Sequence, residues 1–219
     1  MSNLTITIVQ SPLHWEAPDA NLSMFNKKLD TITEATDLIV LPEMFTTGFA
    51  VEREHVAEEQ EGKGLQWMRK KAKEKNCVIT GSIAVKENGK LYNRLYWVEP
   101  DGNYKHYDKR HLFRMAKENN FFTPGERKII CELKGWKICP LICYDLRFPV
   151  WSRNKWTREE GGESRDITLK ADYDVLIYVA NWPEVRSFPW KSLLIARAIE
   201  NQCYTIGVNR IGADGNNFK

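Results

Sequence analysis

The residues in this sequence most able to do chemistry are a cysteine, a glutamate and a lysine, each at the end of a predicted structural element. Cys143 lies in residues 142–149 (ICYDLRFP), directly after an apolar segment. A strand that ends at a cysteine and turns into a helix exposes the thiol and brings backbone N–H groups beside it. Glu43 follows LIVLP, and Lys109 lies in YDKRHL. These three groups could supply a nucleophile, a proton shuttle and a positive charge for an oxyanion.

Each of these residues also has a purely structural interpretation. A cysteine at the end of a buried strand often serves as a small apolar side chain. Glu43 could be a solvated acid at a strand end, and Lys109 could belong to a solvated run of charges. The presence of all three at element ends favours the catalytic interpretation.

Apolar periodicity predicts strands and helices in alternation along the chain. Helical spacing begins after Pro18-Asp19, near Leu65 and near Trp190. Short apolar or alternating runs predict strands over residues 4–10, 38–41, 77–85, 91–98, 104–107, 129–133, 136–142, 173–180 and 203–209. This order predicts an α/β protein with a mixed sheet, packed by helices on its outer face, in one domain over residues 1–219.

Composition narrows the class of function. The chain has 219 residues, 42% hydrophobic and 28% charged, which is ordinary for a globular domain. The net charge is only +3, and no run of basic residues is interleaved with aromatic ones, which argues against nucleic-acid binding. No apolar stretch has the length of a membrane span, and the start of the chain resembles a core strand more than a signal peptide. Five cysteines predict a reducing, cytoplasmic location, and the four scattered histidines predict no metal site.

Residues 155–170 interrupt the alternation of strands and helices. They are rich in charges of both signs and contain a Gly-Gly pair. The segment is predicted to be a surface insertion in a solvated loop. An alternative is a lid over the cysteine, because the segment begins just after the predicted elbow.

Four motifs in this order resemble the nitrilase superfamily of carbon–nitrogen hydrolases. They are residues 41–45 (LPEMF), 107–113 (YDKRHLF), 141–149 (LICYDLRFP), and Glu118 upstream of 121–125 (FFTPG). The resemblance implies a four-layer α-β-β-α sandwich with a Glu-Lys-Cys triad. Members continue past the equivalent of the last residue here, so the expected fold lacks its C-terminal strands.

Within the superfamily, the chain is most similar to bacterial omega-amidases. The similarity lies in residues 109–115, 149–154, 178–183, 197–202 and 207–210. Such enzymes deamidate short dicarboxylic monoamides, notably the omega-amides of 2-oxoglutarate and oxaloacetate, without a cofactor. The resemblance also implies a homodimer. The alternatives are a nitrilase or N-carbamoyl hydrolase with the same triad, and a non-catalytic scaffold that works by association.

The resemblance implies a role for each motif residue. Cys143 is the expected nucleophile, and a nearby ammonium would favour its thiolate. Glu43 would shuttle the proton. Lys109 would stabilise the oxyanion together with the backbone N–H of Tyr144. Glu118 would orient Lys109 or the substrate amide, or form a structural salt bridge.

An acidic substrate also needs a cation or hydrogen-bond donors at the far end of its pocket. Arg147 is the candidate, because a guanidinium binds a carboxylate through two parallel hydrogen bonds. Its alternative is a buried pair with Asp145 or another acid. Trp182 and Phe45 are candidates for pocket walls, and either could instead belong to the core.

Overall fold

The computed structural model describes residues 2–52, 54–160 and 167–215. The strands in chain order are β1 (Ile6–Ile8), β2 (Leu38–Val40), β3 (Glu58–Glu59), β4 (Val78–Glu87), β5 (Lys90–Val98), β6 (Tyr104–Asp108), β7 (Cys131–Leu133), β8 (Trp136–Ile142), β9 (Trp156–Glu160), β10 (Ile167–Ala171), β11 (Val175–Ala180) and β12 (Tyr204–Asn209). The α-helices are α1 (Pro18–Asp30), α2 (Lys63–Lys75), α3 (Glu118–Phe121), α4 (Pro149–Ser152) and α5 (Ser187–Asn201). Short 3-10 helices lie at Glu54–Val56, Arg114–Ala116, Cys143–Arg147 and Glu184–Arg186. No helix in the described ranges is long and apolar enough to cross a membrane.

Two mixed sheets form the centre of the molecule. In the first, β1, β2 and β4 are parallel, β5 and β6 continue antiparallel, and β3 pairs with β4. In the second, β12, β11 and β8 are parallel and β7 is antiparallel to β8. The β4–β5 hairpin turns at Asn88 and Gly89, both with positive φ, as the Asn-Gly signal predicts.

The sheets pack face to face between helices and form four layers. Successive side chains of β2 point to opposite faces, so Leu38 and Val40 join the core between the sheets. Ile39 points the other way and packs with α1 and α2. On the outer side of the second sheet, Gly207 lies against α5, where an added Cβ would come within 2.6 Å of Leu194. The predicted α-β-β-α sandwich is confirmed.

The charged segment forms a β-hairpin in its described part. Strands β9 and β10 pair antiparallel. Thr157 and Lys170 line a shallow surface pocket together with Lys137, near the start of β8. Cys143 follows the other end of β8, about 20 Å away along the strand. The described hairpin residues therefore lie away from Cys143, which disfavours the lid alternative; the assignment as an insertion stays a prediction.

Candidate active site

The predicted catalytic residues follow the carboxyl ends of strands from both sheets. Glu43 comes three residues after β2, Lys109 directly after β6 and Cys143 directly after β8. Asn181 directly follows β11, the parallel neighbour of β8. The carboxyl ends of parallel strands meet at one edge of a sheet, where α/β proteins commonly build their sites. Packing the two sheets face to face brings these edges together.

Lys109 links the two predicted glutamates. Its Nζ donates hydrogen bonds to Glu43 Oε1 at 2.8 Å and to Glu118 Oε2 at 2.9 Å and Oε1 at 3.1 Å. All three side chains are fully buried. The structure thus brings Glu43, Lys109 and Glu118 into one ion cluster.

The charge balance of this cluster governs its protonation. Burial alone would lower the pKa of Lys109, but Glu118 and Glu43 outweigh it and raise the pKa above the usual value. The pKa of Glu118 is raised, first by burial and also by the charge of Glu43, against the opposing effect of Lys109. Lys109 therefore remains an ammonium, and two carboxylates share its single positive charge.

Cys143 occupies a strained turn between β8 and a 3-10 helix. Its φ is +42°, in the left-handed region that non-glycine residues rarely adopt. Such a conformation costs about 1–3 kcal/mol and persists only where the surrounding structure holds it. Met44, directly after Glu43, has a φ of +43°. Both the predicted nucleophile and the predicted base therefore lie at strained turns.

The Cys143 thiol is neutral in this site. Its pKa is raised well above the usual value, first by burial and then by the negative charge of Glu43, and Lys109 offsets only part of this. A hydrogen bond between the thiol and the Glu43 carboxylate acts in the same direction. The Lys109 ammonium does favour the thiolate, as expected, but burial and the charge of Glu43 outweigh it.

This protonation state predicts how alkylation of Cys143 depends on pH. Only the thiolate reacts, and the raised pKa moves its formation above the ordinary thiol value of about 8.5. We expect the rate of alkylation by iodoacetamide, followed at the Cys143 peptide by mass spectrometry, to keep rising between about pH 9 and 10. A plateau below about pH 8 would indicate a stabilised thiolate and contradict this picture.

Two asparagines absent from the predicted set hold the glutamates in place. Asn93 Nδ2 donates to Glu43 Oε1 at 2.8 Å and to Glu118 Oε1 at 3.1 Å. The backbone N–H of Asn181 donates to Glu43 Oε2 at 2.8 Å, and its side chain donates to the Glu43 carbonyl. The sequence carried a signal for both: Asn93 is polar in the middle of an apolar strand, and Asn181 ends a buried one.

Asp145 is the buried anchor of the cysteine turn. Its carboxylate accepts hydrogen bonds from the Tyr107 hydroxyl at 2.7 Å and the Ile142 N–H at 3.1 Å. It also accepts a hydrogen bond from the backbone N–H of His111 at 3.0 Å, and it lies 2.8 Å from the ring nitrogen Nδ1 of the same residue. The network ties the Cys143 turn to the segment that carries Lys109.

A pocket of about 550 Å³ opens over Cys143. Tyr144, Arg147 and Trp182 line it, as predicted for substrate-binding residues. The Arg147 guanidinium lies 5.1 Å from the centre of the Trp182 ring and is exposed. The alternative in which Arg147 pairs with Asp145 is wrong, because Tyr107, Ile142 and His111 surround that carboxylate.

The structure places Phe45 away from the pocket. Its ring is fully buried against Phe25 and Trp67, at centroid distances of 5.6 and 5.7 Å, in the core under α1 and α2. The chain turns at Met44, so Glu43 faces the site and Phe45 faces the helix layer. The prediction that Phe45 forms a pocket wall is therefore corrected, and its core alternative is the right one.

Within the described parts of the chain, no three or more His, Cys, Asp and Glu side chains are grouped in a way that could hold a metal ion. All five cysteines, at positions 77, 131, 139, 143 and 203, are free thiols.

Comparison with known proteins places this site in a family. The family model for carbon-nitrogen hydrolases matches residues 5–218. The omega-amidase YafV of Escherichia coli strain K12 is 48% identical over 216 residues, which cover 99% of this chain and 78% of that protein. The 2-oxoglutaramate amidase of Bacillus subtilis is 34% identical over 216 residues, covering 97% of this chain and 78% of that protein.

Solved structures agree with this placement. A crystal structure of a CN-hydrolase superfamily protein from Xanthomonas campestris, with an arsenic adduct in its active site, superposes with a TM-score of 0.90. It is 41% identical, and the match covers all of this chain and 80% of that one. The chain therefore belongs to the carbon–nitrogen hydrolase family, the nitrilase superfamily that its motifs resemble.

Proposed function

We propose that this protein is an omega-amidase, which hydrolyses the terminal amide of a short dicarboxylic monoamide such as 2-oxoglutaramate to the acid and ammonia. The observation that carries the proposal is the buried cluster of Glu43, Lys109 and Cys143 beneath a pocket that presents Arg147. The relatives named omega-amidase and 2-oxoglutaramate amidase support this substrate class.

In the first half of the proposed reaction, Cys143 forms a thioester. Glu43, which already holds the thiol by a hydrogen bond, takes its proton as the sulfur attacks the amide carbon. The developing oxyanion is stabilised by the Lys109 ammonium and by the backbone N–H of Tyr144. That N–H lies in the first turn of a helix, where backbone donors have no intrahelical acceptor. Glu43 then transfers the proton to the departing nitrogen, which leaves as ammonia.

In the second half, Glu43 activates a water molecule against the thioester. The water gives a proton to Glu43, its oxygen attacks the acyl carbon, and the C–S bond breaks. The proton returns to sulfur, so the thiol and the Glu43 side chain are restored to their starting states. Glu118 and Asn93 act as positioning residues, because their hydrogen bonds fix Lys109 and Glu43 throughout this cycle.

The proposal is tested by ammonia release from a panel of compounds. We expect turnover of 2-oxoglutaramate to exceed that of glutamine, asparagine, an aliphatic nitrile and an N-carbamoyl amino acid. Faster turnover of the nitrile or the N-carbamoyl compound would favour the corresponding hydrolase instead. A folded, monodisperse sample that turns over none of these compounds would contradict the enzyme proposal and favour a non-catalytic scaffold.

We further propose that the protein acts in the cytoplasm as a homodimer. The five free thiols fit a reducing compartment. One face of α5 exposes Phe188, Ile195 and Ile199, which lie in one stripe at helical spacing. A stripe on a single helix can pair with its own copy about a two-fold axis. Sedimentation velocity measures the mass of the assembly directly.

A further inference from the structure

The pocket over Cys143 contains a second arginine besides Arg147. Arg186 lines the pocket together with Arg147. In the described parts of the chain, neither guanidinium forms an ion pair, whereas Arg94 pairs with Asp108 and Glu87. Two cations without a carboxylate partner in one pocket indicate that the pocket receives an anion.

Aromatic rings hold both guanidiniums in place. Arg147 lies over Trp182, and Arg186 lies over Phe113 with its guanidinium carbon 5.3 Å from the ring centre. Contact with a ring uses the flat face of a guanidinium and leaves in-plane N–H donors available. Those donors are the ones that match a carboxylate. One Arg186 Nη2 donor makes a long contact of 3.9 Å to Met115 Sδ.

The two arginines are also connected to each other and to the nucleophile. The indole Nε1–H of Trp182 donates to the backbone carbonyl of Arg186 at 2.7 Å. Phe113, which lies under Arg186, packs at 5.1 Å against Tyr144, the residue after Cys143. The positions of both cations are therefore fixed relative to the reacting sulfur by rigid aromatic side chains.

We propose that Arg186 is a specificity-determining residue that binds the carboxylate end of the substrate jointly with Arg147. This inference rests on the proposed omega-amidase function and extends it. A 2-oxo acid offers a carboxylate and an adjacent keto oxygen, which together give acceptors for two guanidiniums. The pocket also contains Glu16 and Glu52, and these acids would repel an anion from the part of the pocket they line.

The test compares an anionic amide with a neutral amide of the same length. Glutaramate and pentanamide both have five carbons and differ at the end far from the amide. Arg186→Met removes the charge and keeps an apolar side chain that can contact Phe113. We expect kcat/KM for glutaramate and 2-oxoglutaramate to fall about 10- to 100-fold, mainly through KM, because a hydrogen bond to a charged group is lost. Turnover of pentanamide should change less than about threefold, and Arg186→Lys should restore part of the loss.

Arg114→Met is the matched control. Arg114 is an exposed arginine close to Met115 in the chain, and it does not line the pocket. Its replacement removes one positive charge, as Arg186→Met does, and should leave kcat/KM for all three substrates unchanged. Arg186→Met could instead lower the turnover of glutaramate and pentanamide equally, or lower neither. Either result would show that Arg186 has no role in recognising the substrate carboxylate.

A binding measurement separates this inference from the proposed function. Calorimetry with glutarate needs no turnover, and we expect Arg186→Met to weaken its Kd about tenfold or more. If the wild-type protein released no ammonia from any amide, the proposed function would fail, and the glutarate titration would still decide the role of Arg186. Equal Kd values of glutarate for the wild-type protein and Arg186→Met would overturn the inference that Arg186 binds the carboxylate.

Discussion

Replacing Cys143 by alanine is expected to abolish amide hydrolysis, with kcat falling by about 10⁵-fold or more. The proposed reaction passes through a bond to the cysteine sulfur, and Lys109 and the neighbouring carboxylates cannot replace that nucleophile. The fold should survive, because alanine keeps the Cβ and meets the same backbone strain at φ +42°. Ammonia release from 2-oxoglutaramate measures the loss, and circular dichroism and thermal melting check the fold.

Cys139→Ala is the control for that experiment. Cys139 is a fully buried thiol on β8, four residues before Cys143, and burial raises its pKa to about 12. It does not line the pocket over Cys143. We expect this variant to lose about 1–2 kcal/mol of stability from the small cavity and to keep its activity. Residual turnover by Cys143→Ala, or an equal loss in Cys139→Ala, would remove Cys143 from its proposed role.

Replacing Lys109 by methionine is expected to damage both catalysis and stability. Loss of one oxyanion donor typically lowers kcat by about 10²- to 10³-fold. The same change leaves Glu43 and Glu118 buried without their shared cation, and breaking a buried ion pair in this way costs about 3–5 kcal/mol. For a domain of this size, that loss corresponds to a fall in Tm of roughly 10 °C.

A double variant separates the two effects. In Lys109→Met/Glu118→Gln the cluster loses one positive and one negative charge, so its net charge returns to that of the native site. We expect Tm to recover by more than half of the loss, because the two sites share one network and are not additive. Activity should stay as low as in the single variant. Recovery of activity together with stability would show that Lys109 acts only by supporting the fold.

The sequence predicted much of this site because the relevant information is local. Glu43 and Cys143 each follow a strand that its apolar residues predict, and Lys109 follows the short strand predicted over residues 104–107. The parallel arrangement then places strand ends at one edge of a sheet. The strained turn at Cys143 was also foreseeable, since a buried strand passing directly into a helix requires a sharp change of direction.

Other features depended on contacts between residues far apart in the chain. Lys109 meets Glu43 across 66 positions, and Asn181 meets it across 138. Phe45 and Glu43 are two residues apart, and only the turn at Met44 sent one to the core and the other to the site. No local pattern specifies which face of the sheet a side chain will occupy after such a turn.

The pKa of the Cys143 thiol likewise depends partly on local sequence and partly on the tertiary structure. The sequence by itself determined that a thiol, a carboxylate and an ammonium would each lie at the end of a predicted element, because local residue patterns encode where strands stop. Only the tertiary structure decided that Cys143 would be buried beside Glu43, so that burial and that negative charge raise the pKa of its thiol against the opposing effect of Lys109. Charges interact through space and burial, so the pKa of each group depends on the packed sheets as a whole.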